Sequence, residues 1–168
     1  MEFITREQAR QDIIALELPK IVLDAFDGKP LQYNLDIQFH EPYQIFSIGP
    51  EGQAAYGHGR ITRIWTGGGD YTIVAYHHAP ERKGYFRFDI ESPEDEEQLL
   101  GLSWQQILIK KFKSLWEQVW TDERLIEVAG WFDFKYIDLL IAELPQAKLD
   151  TFKKDAVWYQ SYLHRVGG

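Results

Sequence analysis

Five histidines, 26 carboxylates and no cysteine set the chemistry open to this chain. Without thiols there is no disulfide, no thiol nucleophile and no cysteine-ligated metal. His77 and His78 are neighbours in a strand-like run. Adjacent strand residues point to opposite faces, so the two imidazoles do not readily ligate one ion together. If His40 and His58 approached either of them, with Asp70, a metal or acid–base site would result. A concave site lined by Trp65, Asp70, His77 and His78 is the small-molecule or enzymatic reading of the chain. Against it, histidines with ordinary hydrogen bonds are commoner than ligands, and no serine, histidine and carboxylate set has a recognisable local spacing. The sequence therefore assigns no catalytic, cofactor-binding or metal-ligating residue.

Two further stretches have a chemical and a structural reading. Gly67-Gly68-Gly69-Asp70 has the composition of a phosphate cradle, but such loops open a helix and usually carry a lysine, whereas here a strand-like run follows. A hairpin turn with positive φ is the better reading, and Asp70 can bond back to the turn's amides. Glu91, Glu94, Asp95, Glu96 and Glu97 put five carboxylates into seven residues. They fit either a solvated loop feeding a helix N-terminus or an acidic patch for a basic partner.

The elements that would position these residues follow from period and residue type. Residues 60–66, 71–78 and 85–90 are rich in β-branched and aromatic side chains and predict a three-stranded antiparallel meander. In the third run Phe86, Phe88 and Ile90 alternate with Tyr85, Arg87 and Asp89, which predicts one dry and one wet face. Trp65, Tyr71 and Tyr76 are then the meander's candidate interface aromatics. Two more strands are expected at residues 35–40 and 43–48. Thr5 to Gln8 fits a capping box for a first helix, and Leu18-Pro19 opens a second that Asp27-Gly28 stops. Ser103 caps a longer helix with Trp104, Leu108, Phe112, Leu115 and Val119 on one stripe, suited to the dry face of the sheet. Thr121 or Asp122 caps the next helix and Gly130 stops it. Helices over 134–144, ending at Pro145, and over 149–163 complete the chain. Trp116, Trp120, Trp131, Phe132, Phe134 and Tyr136 are expected to glue these last helices to the body.

Composition bounds the class. Hydrophobic residues at 45% and aromatics at 15% exceed what a disordered chain carries. The net charge of −8 argues against broad binding to nucleic acid or anionic membrane and favours basic partners. No apolar run approaches the roughly 20 residues of a membrane span, and the first residues lack a secretory pattern, so a cytoplasmic location is expected. The fold class expected is α+β, as one domain over 1–168. Its sheet has about five strands, antiparallel or mixed, packed by N-terminal helices and a long helix, and a helical extension follows.

The order of these features resembles the SUKH superfamily, which joins Smi/Knr-like cell-wall regulators and bacterial toxin-immunity proteins. The residues that carry the resemblance are Leu18-Pro19, Phe26-Asp27-Gly28, Gly68-Gly69-Asp70-Tyr71, Gly84-Tyr85-Phe86-Arg87-Phe88-Asp89 and the helix over 103–116. It covers residues 5–118, and the helical extension over 121–168 has no counterpart in it. The resemblance implies an α+β domain without catalytic activity or cofactor that acts by binding protein, in many bacterial members a toxin, often a nuclease. Trp65, Asp70, Tyr71, Tyr76 and the acids Glu91, Glu94, Asp95, Glu96 and Glu97 are then the candidate partner-binding residues. The family often has asparagine where Asp27 stands.

Overall fold

A computed structural model describes residues 5–40, 61–66, 72–80, 83–89, 102–147 and 152–166. The architecture is α+β, with a three-stranded antiparallel sheet and, among the described residues, seven α-helices. Two compact units divide the chain, residues 1–102 and 103–168.

The first unit opens with α1 (Arg6–Ala15), and the expected capping box is present. The Gln8 amide donates to Thr5 Oγ1 at 3.2 Å, and the Thr5 amide donates to Gln8 Oε1 at 2.8 Å. Two orphan amides of the first turn are thereby satisfied. α2 (Lys20–Phe26) follows Pro19 and ends at Asp27, after which Gly28 takes φ +73°. The left-handed conformation there suits a residue without Cβ. Arg10 forks onto the Asp27 carboxylate at 3.0 and 3.1 Å, and Arg6 donates to the Phe26 carbonyl at 3.1 Å, so α1 is tied to the end of α2. The carboxylate beside it, through its hydrogen bond and its charge, raises the Arg10 pKa.

Residues 35–40, expected as a strand, turn out otherwise. A 3-10 turn (Gln32–Asn34) leads into the short α3 (Leu35–Gln38). Tyr33 and Asn34 both take positive φ, +58° and +57°, which turns the chain before Leu35. Leu35 and Phe39 then bury on one side of a single helical turn, while Ile37 between them is 54% exposed. The alternation of Leu35, Ile37 and Phe39 imitates strand period, but only the i, i+4 pair is buried. His40 keeps one feature of the expected strand, an antiparallel bridge to Thr66 with hydrogen bonds of 2.7 and 2.9 Å. The other expected strand, 43–48, lies outside the described residues.

The meander is β1 (Ile61–Thr66), β2 (Thr72–His77) and β3 (Gly84–Asp89), in that spatial order. β1 carries a bulge between Arg63 and Trp65. The turn over 67–71 lies outside the described residues. The expectation of one wet face needs correction: Ile73, Val74, Ala75, Tyr76 and His77 are all buried, so β2 is covered on both sides. A continuous apolar run reads as a doubly covered strand, and Ile73-Val74-Ala75-Tyr76 is one. In β3 Phe86 joins a core with Ile73 and Ala75, as the alternation requires, but Tyr85 on the other face is buried too. The side chain of Phe88 and all of Ile90 lie outside the described residues. Leu102 pairs with the outer edge of β3 at Tyr85 through two hydrogen bonds of 2.9 and 2.8 Å. α1 and α2 both pack against β1.

The second unit consists of α4 (Trp104–Glu117), α5 (Asp122–Trp131), α6 (Ile137–Ala147) and α7 (Phe152–Arg165). Ser103 and Gln106 cap α4 reciprocally, as Thr5 and Gln8 cap α1. Thr121 caps α5 through the Arg124 amide at 3.3 Å. The stop expected at Gly130 belongs instead to Asp133, which takes φ +54° two residues after α5 ends. α6 likewise runs through Pro145 rather than ending before it, though by only two residues. The core holds Leu108, Phe112, Leu115, Leu125, Val128, Phe132, Leu140 and Leu144. Phe112 stacks on Phe134 with ring centres 4.9 Å apart and meets Phe132 edge-on at 6.1 Å. Such ring pairs add to the area the side chains bury.

Buried polar groups organise this unit. Gln105, only 4% exposed, donates to the Asp133 carbonyl at 2.6 Å and accepts from the Lys135 amide at 2.8 Å. Trp104 Nε1 donates to the Phe132 carbonyl at 2.8 Å, so the first turn of α4 fixes the connection between α5 and α6. Gln106 reaches the Leu163 carbonyl at 3.0 Å and secures the end of α7.

Two substitutions test this description by denaturant unfolding. Phe112→Ala is expected to lower stability by about 3–5 kcal/mol, the cost of a large cavity. Val119, 88% exposed, takes φ +64° just past α4, an uncommon conformation for a β-branched residue. Val119→Gly is therefore expected to raise stability by about 0.5–1 kcal/mol, whereas Val119→Ala, which loses the branch but keeps the Cβ, gains less.

Candidate functional site

The register of the sheet decides which side chains meet. Ile61 pairs with His77 and Arg63 with Ala75, while Thr62 pairs with Tyr76 and Trp65 with Val74. Cross-strand partners share a face. One face therefore carries His77, Ala75 and Ile73; the other carries Thr62, Tyr76, Trp65 and, one step beyond β2, His78.

His77 and His78 thus diverge, as adjacent strand residues must. The His77 ring sits 5.8 Å from that of Phe86, and its Nδ1 accepts from the Ala79 amide at 3.1 Å. The Trp65 ring is edge-on to Phe39 at 5.1 Å, with the residue only 3% exposed. Trp65 shares a face with His78 but stands opposite Val74, about 13 Å along the strand from His78 at about 3.3 Å per residue. Trp65, His77 and His78 consequently do not line one cavity. Asp70 and His58 lie outside the described residues, as do Tyr71, Glu91, Glu94, Asp95, Glu96 and Glu97. Trp65 and Tyr76, expected as interface aromatics, are 3% and 8% exposed and serve the core instead. Double covering of the meander takes both indole and phenol out of reach of a partner.

What the structure does bring together is a polar cluster that the sequence reading missed in part. Thr62 is fully buried. Its Oγ1 lies 2.8 Å from Asp12 Oδ2 and 2.8 Å from His78 Nε2, and the imidazole and carboxylate atoms are 3.8 Å apart. The His78 ring stands edge-on to Tyr76 at 5.0 Å, and Tyr76 edge-on to Tyr85 at 5.0 Å. Burial pushes the Tyr85 phenol well above its ordinary range, and the neighbouring Tyr76 adds to the shift. The cluster joins α1, β1 and the end of β2. A signal for Asp12 existed in the sequence: it interrupts the apolar stripe Ala9, Ile13, Leu16, where an acid must find a partner. Thr62 gave no such signal, because threonine is ordinary in strands.

The cluster contains a hydroxyl, an imidazole and a carboxylate, but not in the order a nucleophile needs. In a catalytic triad the carboxylate orients the imidazole, which faces an accessible hydroxyl. Here the hydroxyl lies between the other two and has no exposure, so substrate cannot reach it. Its chemistry is satisfaction of buried polar groups. Among the described residues no group of three or more His, Cys, Asp or Glu side chains is placed to hold a metal ion, and no helix is long and apolar enough to cross a membrane.

The fold and this cluster define an α+β protein with a polar clasp between its first helix and its sheet. No family model, no curated protein and no solved structure matches the chain.

Thr62→Val keeps the shape of the side chain and removes the hydroxyl that bonds Asp12 and His78. It is expected to cost about 1–3 kcal/mol, as these hydrogen bonds are lost in a buried setting. Thr62→Ser, which keeps the hydroxyl, should lose clearly less in the same urea titration; equal losses would show that the methyl group matters and the hydrogen bonds do not.

Proposed function

We propose that the chain is a noncatalytic protein-binding module of SUKH type, acting in the cytoplasm as an immunity protein against a basic toxin domain. The observation that carries this reading is where the charge lies. Residues 1–102 hold nine Lys and Arg against seventeen Asp and Glu, whereas residues 103–168 hold nine of each. The whole net charge of −8 therefore belongs to the unit with the meander, and the helical unit is neutral. A toxin that cleaves nucleic acid presents a basic cleft, and an acidic surface is suited to fill it and to speed the encounter. The same charge disfavours nucleic acid and anionic membrane as partners.

The five-stranded sheet expected for such a module is part of the proposal. His40 beside β1 and Leu102 beside β3 each form two backbone hydrogen bonds with an outer strand. These pairings support a sheet wider than its three described strands. The rival reading, a small-molecule site around Trp65, Asp70, His77 and His78, has less support, because Trp65 and His77 occupy opposite faces.

Coexpression with the protein encoded beside it, followed by affinity capture, tests the proposal. A basic partner is expected to copurify. Changing Glu94, Asp95, Glu96 and Glu97 to lysine is expected to slow association at low salt by about tenfold or more. Capture unchanged by the four reversals would contradict the acidic run as the contact, and capture of no basic protein would contradict the immunity role.

A further inference from the structure

We propose that Tyr33, on the turn leading into α3, and Ile37, on α3 itself, are the apolar anchors by which residues 1–102 hold a basic protein partner. Resting on the protein-binding role proposed for the chain, the pair gives that role a contact surface. Tyr33 is 37% exposed and Ile37 54%. Among the described residues of this unit, Ile14 alone is another large apolar side chain as open to solvent. Scattered single residues of this kind are ordinary. Two within five positions are not scattered, because their Cα atoms lie at most about 14 Å apart, well inside the roughly 800 Å² that each partner contributes to a standard interface.

The backbone beneath them is strained and firmly held. Tyr33 and Asn34 both take left-handed φ, +58° and +57°, a conformation that asparagine tolerates and an aromatic residue does not favour. For stability alone position 33 would suit glycine or asparagine. Strain of this kind persists where the surroundings enforce it, and it gathers at binding sites. Here Leu35 and Phe39 are buried, Phe39 meets Trp65 edge-on at 5.1 Å, and His40 bridges Thr66 through backbone hydrogen bonds of 2.7 and 2.9 Å. Tyr33 and Ile37 thus stand on a segment ordered before a partner arrives, which lowers the entropy lost on binding. Tyrosine is also among the residues that most often dominate an interface.

Charge selects the occupant. Residues 1–102 carry seventeen Asp and Glu against nine Lys and Arg, and Asp36 lies between the two anchors in sequence. A second copy of the chain would bring like charge to like, and nucleic acid and anionic membrane would be repelled in the same way. A protein with an apolar pocket rimmed by Lys and Arg matches both the anchors and the field around them. The charges then govern the rate of encounter, and the anchors govern the lifetime of the complex.

Dissociation kinetics of the full chain from the basic protein captured by coexpression test the assignment. Tyr33→Asn removes the ring and leaves a residue suited to the left-handed backbone. It is expected to speed dissociation by about tenfold or more, and Ile37→Ser by about threefold or more, with association changed by less than about twofold in both. Should Tyr33→Asn fail to fold, Ile37→Ser decides, since its urea midpoint is expected to stay near the parent's. A complex captured as before whose dissociation Ile37→Ser leaves unchanged overturns the anchors and leaves the protein-binding role standing; capture of no basic protein overturns both. Self-association of the parent that Ile37→Ser abolishes would make the occupant a second copy and also overturn the proposal.

Discussion

β2 has no face to spare for water. Its residues Ile73, Val74, Ala75, Tyr76 and His77 are all buried, so both layers beside it must supply close-packed contacts. Each large apolar side chain covered in this way stabilises the fold by about 1.5–3 kcal/mol, which is why a small sheet holds its shape. The same covering imposes a condition on anything polar nearby. Thr62 on β1, buried completely, needs partners, and Asp12 from α1 and His78 beyond β2 provide them. The packing of α1 against β1 is thus fixed by apolar contact and by a hydrogen-bond chain through Thr62.

The helical unit solves the same problem with amides. Gln105 and Gln106, adjacent on the first turn of α4, satisfy backbone groups of the α5–α6 connection and of α7. A buried and a half-buried glutamine that meet both donor and acceptor requirements specify one arrangement of the helices, since a shift would leave buried groups unpaired. Phe112, Phe132 and Phe134 fill the space that arrangement encloses. The charges of this unit cancel, and its order rests on packing and hydrogen bonding.

Much of the local structure was legible in the sequence, because it depends on neighbours along the chain. Thr5 with Gln8, Ser103 and Thr121 marked helix starts, and Asp27-Gly28 marked a stop. The three strands of the meander appear where β-branched and aromatic residues cluster. The misreadings share a cause, which is that burial is decided by distant parts of the chain. Alternation at Leu35, Ile37 and Phe39 signalled a strand, yet two left-handed residues before it set up a helical turn that buries Leu35 and Phe39. Trp65 and Tyr76 looked available to a partner because the meander was read as having one wet face, although the unbroken apolar run Ile73-Val74-Ala75-Tyr76 fits a strand covered on both sides. Of the polar cluster only His78 was singled out; its partners come from positions 16 and 66 residues earlier.

A meander covered on both faces recognises little through the middle of its strands. For the proposed binding of a basic partner, the surplus of acid in residues 1–102 over a neutral helical unit is then the property that counts. Long-range attraction between unlike charges acts on the rate of encounter and weakens with salt. The most direct measurement of the proposed recognition is the association rate with a basic partner captured by coexpression, followed by stopped flow as ionic strength is raised. The account predicts a rate that falls steeply, by about tenfold or more between about 0.01 and 0.5 M salt, with little change in dissociation. An association rate indifferent to salt would contradict it.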